Sequence, residues 1–255
     1  MKKFLALLLS CLLLLSLVAC AATEEESNDN NTKETLADEM TYQNLKYAVN
    51  EDGYFSITGY IPNGVEPVKL TIPASIEGRE VTGIADSAFR AGKYIASVEF
   101  EADAKTGTPN IQKIGQAAFY DCDALTSIVI PATVKSIGES AFRGCDNLAS
   151  VTFAEGCAIT EIAPYTFWDC AALTGITVPA TVTVIDDGAF WNCESLTSFF
   201  VPDAVEWIGD AAFADCIELV DFSVSEALTD SNVGSEVLAN CDKIQVTVRP
   251  VVVEG

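Results

Sequence analysis

From residue 84 onward, large apolar residues return at fixed phases of a cycle of about 23 residues. Phe89, Phe119, Phe142, Phe167, Phe190, Phe213 and Leu238 anchor it, with successive gaps of 30, 23, 25, 23, 23 and 25 residues. An Ile or Val stands five positions before each anchor (Ile114, Ile137, Ile162). A Cys (Gly92 in the first unit) follows three positions after it, and a Leu or Ile six positions after. A period of this length marks a stack of coils, each burying its apolar face against its neighbours. Within one unit the apolar spacings of 4, 1, 3 and 3 from Ile137 to Leu148 predict a short helical or 3₁₀ turn with one inward face. From Leu148 the rule becomes L-x-x-V-x-F, which ends as an extended run with alternating burial. The predicted architecture is an α/β repeat: a solenoid with one short parallel strand and one helical or 3₁₀ turn per coil. Pro131, Pro179 and Pro202 follow the strands, where a missing N–H removes no ladder bond.

Before the repeat, Tyr47–Val49 and Tyr54–Ile57 flank Asn50-Glu-Asp-Gly53 and predict a β-hairpin. It is placed to cap the first coil, whose core and strand edge would otherwise face water. The solenoid is assigned to 68–255 and the cap to 41–67. Val251–Val253 has no evident cap.

Composition changes the picture at the N-terminus. Met1-Lys2-Lys3 and the apolar run Phe4–Val18 predict a cleaved leader, since the run is shorter than the ~20 residues of a membrane span. Its end, Leu17-Val18-Ala19-Cys20, resembles the lipobox of bacterial lipoproteins. That resemblance implies cleavage after residue 19 and lipidation of the Cys20 thiol; the simpler alternative is a plain secretory signal. Residues 20–40 are acidic and amide-rich, which predicts a flexible tether, so the lipid would anchor the chain and not span the bilayer. The expected location is extracytoplasmic, on the cell surface or outer membrane.

Net charge is −23; without the leader, 12 basic and 37 acidic residues remain, a net of −25. Such a surface repels nucleic acid, so no nucleic-acid partner is expected, and the membrane is reached through the lipid alone. Six of the nine cysteines lie on the ladder phase, facing inward like small hydrophobes, and are expected to be free thiols. Cys157 sits off that phase and is expected to be exposed or half-buried.

The strings Ile-Gly-x-x-Ala-Phe-x-x-Cys-x-x-Leu and Leu-Thr-Ser-Ile-Val-Ile-Pro occur together at 114–131 and nearly so at 137–153, 185–202 and 208–224. This pattern resembles the leucine-rich repeats of the BspA-like family over about 180 of the 255 residues. The resemblance implies a curved leucine-rich-repeat solenoid on a bacterial surface and specifies no single ligand. Thr166 replaces the repeat's Ala, Leu238 its Phe, and Ala154 and Ser225 its Pro.

Little in the chain points to catalysis. There is no histidine, which removes Ser-His-Asp and Cys-His chemistry and imidazole metal sites. The cysteine step of 23 to 25 residues is not a zinc spacing, and no phosphate loop is present. Carboxylate number leaves a paired-carboxylate glycosidase open, but the acidic residues fall in solvent phases. Asp121, Asp169 and Asp215, with Asn192 and Asn240, precede ladder cysteines, where a short polar side chain can complete a turn; weak calcium binding is the alternative. No enzyme activity, cofactor or metal site is expected.

Surface positions suggest recognition instead. One outward column on the strands includes Ser127, Ser150, Ser198 and Asp221; the next includes Thr152, Thr177 and Phe200, its one aromatic. Exposed aromatics of this kind are typical hot spots. The residue after each anchor also points outward, giving a flank with Tyr120, Trp168 and Trp191, where two Trp on consecutive coils can stack. The expected role is macromolecular binding or adhesion, with a protein or glycan on a host or bacterial surface as partner. The alternative is a passive envelope or scaffold protein without a specific ligand.

Overall fold

A computed structural model describes residues 39–62 and 67–250. The leader, Cys20, most of the tether and Val251–Val253 lie outside the described residues. Three strands open the fold: β1 (Met40–Tyr42), β2 (Leu45–Val49) and β3 (Phe55–Tyr60), paired antiparallel in that order. The β2–β3 turn closes through the Gly53 amide on the Asn50 carbonyl, with Gly53 at φ +80°. A β-carbon disfavours that angle, so glycine fits it.

Eight strands, all but one of them three to six residues long, form one wall of the coil stack, the long-strand wall: β4 (Val68–Ile72), β7 (Ile95–Phe100), β9 (Ser127–Ile130), β11 (Ser150–Phe153), β13 (Ile176–Thr177), β15 (Ser198–Phe200), β17 (Asp221–Ser225) and β18 (Gln245–Arg249). All pairings recorded among them are parallel and, apart from one register shift between Val68 and Lys69, in phase: Val151 meets Ile128, and Phe222 meets Phe199 and Val246. The wall is two sheets, β4 to β13 and β15 to β18.

A second wall is made of shorter strands. These are β5 (Ser75–Ile76), β6 (Arg79–Ile84), β8 (Lys113–Ile114), β10 (Ser136–Ile137), β12 (Glu161–Ile162), β14 (Val184–Ile185) and β16 (Trp207–Ile208). The hairpin β5–β6 starts this wall, and β3 lies parallel on β6, so the cap extends it. Each coil therefore carries two strands, not the single one expected.

The third wall is the segment predicted as helical, and among the described residues there is no helix of any kind. The expected helical or 3₁₀ turn is thus corrected to a chain of tight turns. Residues two before and two after each anchor have positive φ: Ala117 and Asp121 around Phe119, Tyr165 and Asp169 around Phe167, Gly188 and Asn192 around Phe190. A left-handed residue at every fourth position stops a right-handed helix from propagating. Amides alternate between two duties. Phe119 N–H donates to Ala141 of the next coil at 2.8 Å, while Tyr120 N–H donates back to Ala117 at 3.2 Å. Half of the backbone donors therefore tie coil to coil, as in a sheet. The result is a β-solenoid of about eight turns.

Inside, the anchor rings stack in file. Centroids from Phe89 through Phe213 are 5.1, 5.3, 5.6, 5.3 and 5.1 Å apart. Each of these benzyl groups is buried, and burial of one such side chain contributes roughly 1.5–3 kcal/mol. Every ladder thiol is buried and unbonded to another sulfur. Each donates to the anchor carbonyl of the preceding coil, as Cys145 Sγ does to Phe119 at 3.1 Å and Cys193 Sγ to Phe167 at 3.2 Å. Burial pushes the Cys122 thiol up to about 12 and the Cys241 thiol up to about 11, so thiolate chemistry is suppressed.

Cys157 departs from expectation because it too is buried. Its amide closes a turn on Ala154, as the Val134 amide does on Pro131, and so the side chain points inward. The two extra residues of this coil are absorbed between Cys157 and Ile162, where Ile159 is also buried.

Candidate binding face

The coil of residues 154–178 sits between two interruptions. No ladder joins β10 to β12 on the short-strand wall, and none joins β13 to β15 on the long-strand wall. This coil carries two extra residues and has Thr166 in place of Ala. The Thr166 hydroxyl turns back onto Ala163 at 2.7 Å, and the Phe142–Phe167 spacing of 5.6 Å is the widest of the file. The turn wall runs on through both junctions: Phe142 N–H reaches Thr166, and Phe167 N–H reaches Ala189.

On the long-strand wall, outward residues fall in register. Lys69, Ser97, Ser127 and Ser150 share one column, which Ser198, Asp221 and Gln245 continue past the break. Val129, Thr152 and Thr177 share the second, continued by Phe200, Ser223 and Thr247. Ser127, Ser150, Thr152, Thr177, Ser198, Phe200 and Asp221 are all solvent-exposed on this one face.

Where the sheet is interrupted, the face opens into a groove of about 440 Å³, lined by Val151, Thr152, Phe153, Gly175, Ile176, Thr177, Ser198 and Phe200. No charged side chain lines it. One backbone bond still spans the gap, from Thr197 N–H to Thr174 at 3.2 Å. A β-carbon on Gly175 would meet nothing within 4 Å, so the groove lies open there. Phe200 forms one side and is 56% exposed. The Arg249 guanidinium lies over its ring, 3.7 Å from the centroid, and donates to Asp203 at 2.5 Å and to the Val201 carbonyl. Arg249 belongs to the last strand, nearly fifty residues away, and no local sequence signal marks it. The groove itself has no periodic signature, because it arises where periodicity fails.

The aromatic flank is organised differently. Trp168 and Trp191 stack face to face, 4.8 Å between centroids with planes 4° apart. Arg143 covers Trp168 at 3.5 Å, and Arg90 lies 4.4 Å over Tyr120. Trp191 Nε1–H donates to Asp215 at 2.7 Å. All three rings are half-buried; Tyr120 is contacted by Arg90 and Arg143, Trp168 by Arg143 and Trp191, and Trp191 by Trp168. The expected Trp stack forms, but as an alternating cation–π column that joins coils.

The residues at the turn phase also have a structural use. Asp121, Asp169, Asn192, Asp215 and Asn240 hold positive φ between 54° and 61°, a region in which Asn and Asp are enriched. Asn240 donates to Asp215 at 2.6 Å, and Asn192 donates to Asp169 at 2.5 Å. Burial, then the neighbouring Asp123, raises the carboxyl of Asp121 above its ordinary value. Among the described residues, no group of three or more Cys, Asp and Glu side chains is placed to hold a metal ion.

The chain is similar to several solved structures. A leucine rich repeat protein of T. pallidum, solved by crystallography, is 24% identical, with 84% of this chain and 83% of that one covered and a TM-score of 0.53. A leucine rich cell surface protein of Faecalibacterium prausnitzii is 22% identical over 84% of this chain and 77% of that one, with a TM-score of 0.49. A leucine-rich repeat protein of Eubacterium ventriosum is 22% identical over 72% of this chain and 50% of that one, with a TM-score of 0.46. The first likeness establishes the fold. No curated protein matches the chain. Residues 112–245 match six copies of the BspA type leucine rich repeat region, more than half of the sequence, and the chain therefore belongs to that family.

Proposed function

We propose that this protein is a non-enzymatic binding module held outside the cytoplasm by a lipid on Cys20. It recognises a protein or glycan on a host or bacterial surface through the outward face of the long-strand wall. One observation carries the reading: on a chain of net charge −23, the outward face opens into a groove whose lining carries no charge, beside its most exposed aromatic. Large exposed aromatics beside small residues typify recognition sites. The Trp flank is the weaker candidate because its rings already contact one another and Arg143.

The test is saturable binding of the purified protein to immobilised matrix proteins and glycans. Thr177→Arg, which places a bulky charge on the groove floor, should lower affinity about tenfold or more, within the hot-spot range. Lys113→Glu, on the short-strand wall, should leave it unchanged. Equal effects from the two, or no saturable binding at all, would favour a passive envelope protein. The anchor is checked separately. Metabolic labelling with an alkyne fatty acid should tag the wild type and not Cys20→Ser; equal labelling would remove the lipid from the account.

A further inference from the structure

We propose that the groove at the break of the long-strand wall is a subsite for a neutral saccharide unit of a longer glycan. The unit would stack on the open part of the Phe200 ring and bond to the hydroxyls of Thr152, Thr177 and Ser198. The inference rests on the reading of this wall as the binding face and names its ligand class.

Hydroxyl usage is the first reason. On other parts of the coils, threonines are engaged with the preceding coil: Thr133 donates to Ile111 at 2.7 Å, Thr181 to Ile159 at 2.7 Å, and Thr183 to Thr160 at 3.1 Å. Among the described residues, the hydroxyls of Thr152, Thr177 and Ser198 make no such bond, although they converge on one groove. Unengaged donor–acceptor groups on a rigid strand suit a polyhydroxyl ligand, which offers both functions in return.

Charge is the second. The groove lining carries no charge, and the cation beside it, Arg249, is paired with Asp203. The strongly negative chain repels anionic polymers, while a cationic ligand would find no counter-charge in the lining. A neutral ligand remains.

Shape is the third. A volume of about 440 Å³ lies within the ~300–1,000 Å³ of small-ligand sites. Yet the groove is open along the face, above Gly175, so a chain can run past both sides of the bound unit. Arg249 holds Phe200 from one side and fixes the ring in place before a ligand arrives. An apolar peptide side chain would want a closed, greasy pocket; here half of the residues lining the groove carry a hydroxyl or are glycine.

The experiment is isothermal titration calorimetry of the purified protein with maltotetraose, cellotetraose, laminaritetraose and tetra-N-acetylchitotetraose, and with a hyaluronan tetrasaccharide as the anionic comparator. We expect saturable binding to at least one neutral tetrasaccharide and none to the anionic one. Affinity should fall about tenfold in Phe200→Ala and also in Gly175→Leu, which fills the groove from a floor position with free space above it. The second variant decides the matter should the first fail to fold, as judged by its thermal transition. No binding to any neutral sugar, binding unchanged in a folded variant, or preference for the anionic sugar overturns the inference. A parallel arm with immobilised matrix proteins separates the two failures. Phe200-dependent protein binding without sugar binding would leave the face and remove the saccharide, whereas no binding in either arm would remove both.

Discussion

A single β-carbon is enough to push two coils apart at some positions and changes nothing at others. Gly115, Gly138, Gly209 and Gly234 each follow an inward Ile or Val. A β-carbon there would lie 2.6, 2.5, 2.4 and 2.5 Å from a backbone nitrogen of the previous coil. Ala163 and Asp186 hold the same position in the two coils after Gly138, so the stack accommodates a β-carbon there and not at the four glycines. Gly175 has open space above it and no left-handed φ. Gly138→Ala should therefore destabilise the fold by about 1–3 kcal/mol, as overpacking does. Gly175→Ala should stay within about 0.5 kcal/mol of wild type or slightly stabilise. Chemical denaturation monitored by tryptophan fluorescence distinguishes them; equal losses would mean that coil spacing is not set at these glycines. The repeated Gly after the Ile was legible in the sequence as a motif, but its reason was not. Nothing local in the chain tells that another coil's backbone lies against it.

At the scale of elements, legibility followed periodicity. The strand rule L-x-x-V-x-F placed the long-strand wall and its outward columns, because alternation fixes which side chains face water once one face is buried. The turn segment misled. Its inward spacing of 4, 1, 3 and 3 fits one face of a helix, yet the same positions can point inward from a chain of tight turns. The distinguishing signal is partial: Asp, Asn or Gly at anchor plus two tolerates positive φ, while Ala117 and Tyr165 at anchor minus two give no hint of it. Inter-coil bonds such as Phe119 N–H to Ala141 hold those residues in place. Apart from β6, the strands of the second wall are two residues long, too short to show a period. Cys157 sits off the ladder phase yet points inward, because the chain absorbs the coil's two extra residues just after it, before Ile162.

For the molecule as a whole, the interruptions flank a coil that breaks several of the repeat's own rules at once. Ala154, the extra residues and Thr166 fall together, and the two ladders open on either side of them. The turn wall, the file of Phe rings and the Arg143–Trp168–Trp191 column bridge both junctions, so the stack remains continuous. The groove is the surface expression of that local defect. The columns were legible before the structure, whereas the groove and Arg249's clamp on Phe200 depend on contacts between distant coils. All of this rests on eight strands standing side by side in one direction. The most direct measurement is a pulsed electron–electron distance between spin labels at Thr71→Cys and Thr247→Cys, exposed residues on the first and last long strands. The buried native thiols of the solenoid would not take the label. Seven steps of ~4.8 Å predict one narrow distribution centred near ~34 Å. A much shorter distance, or a broad distribution with several maxima, would contradict the stacked solenoid and every functional reading built on its face.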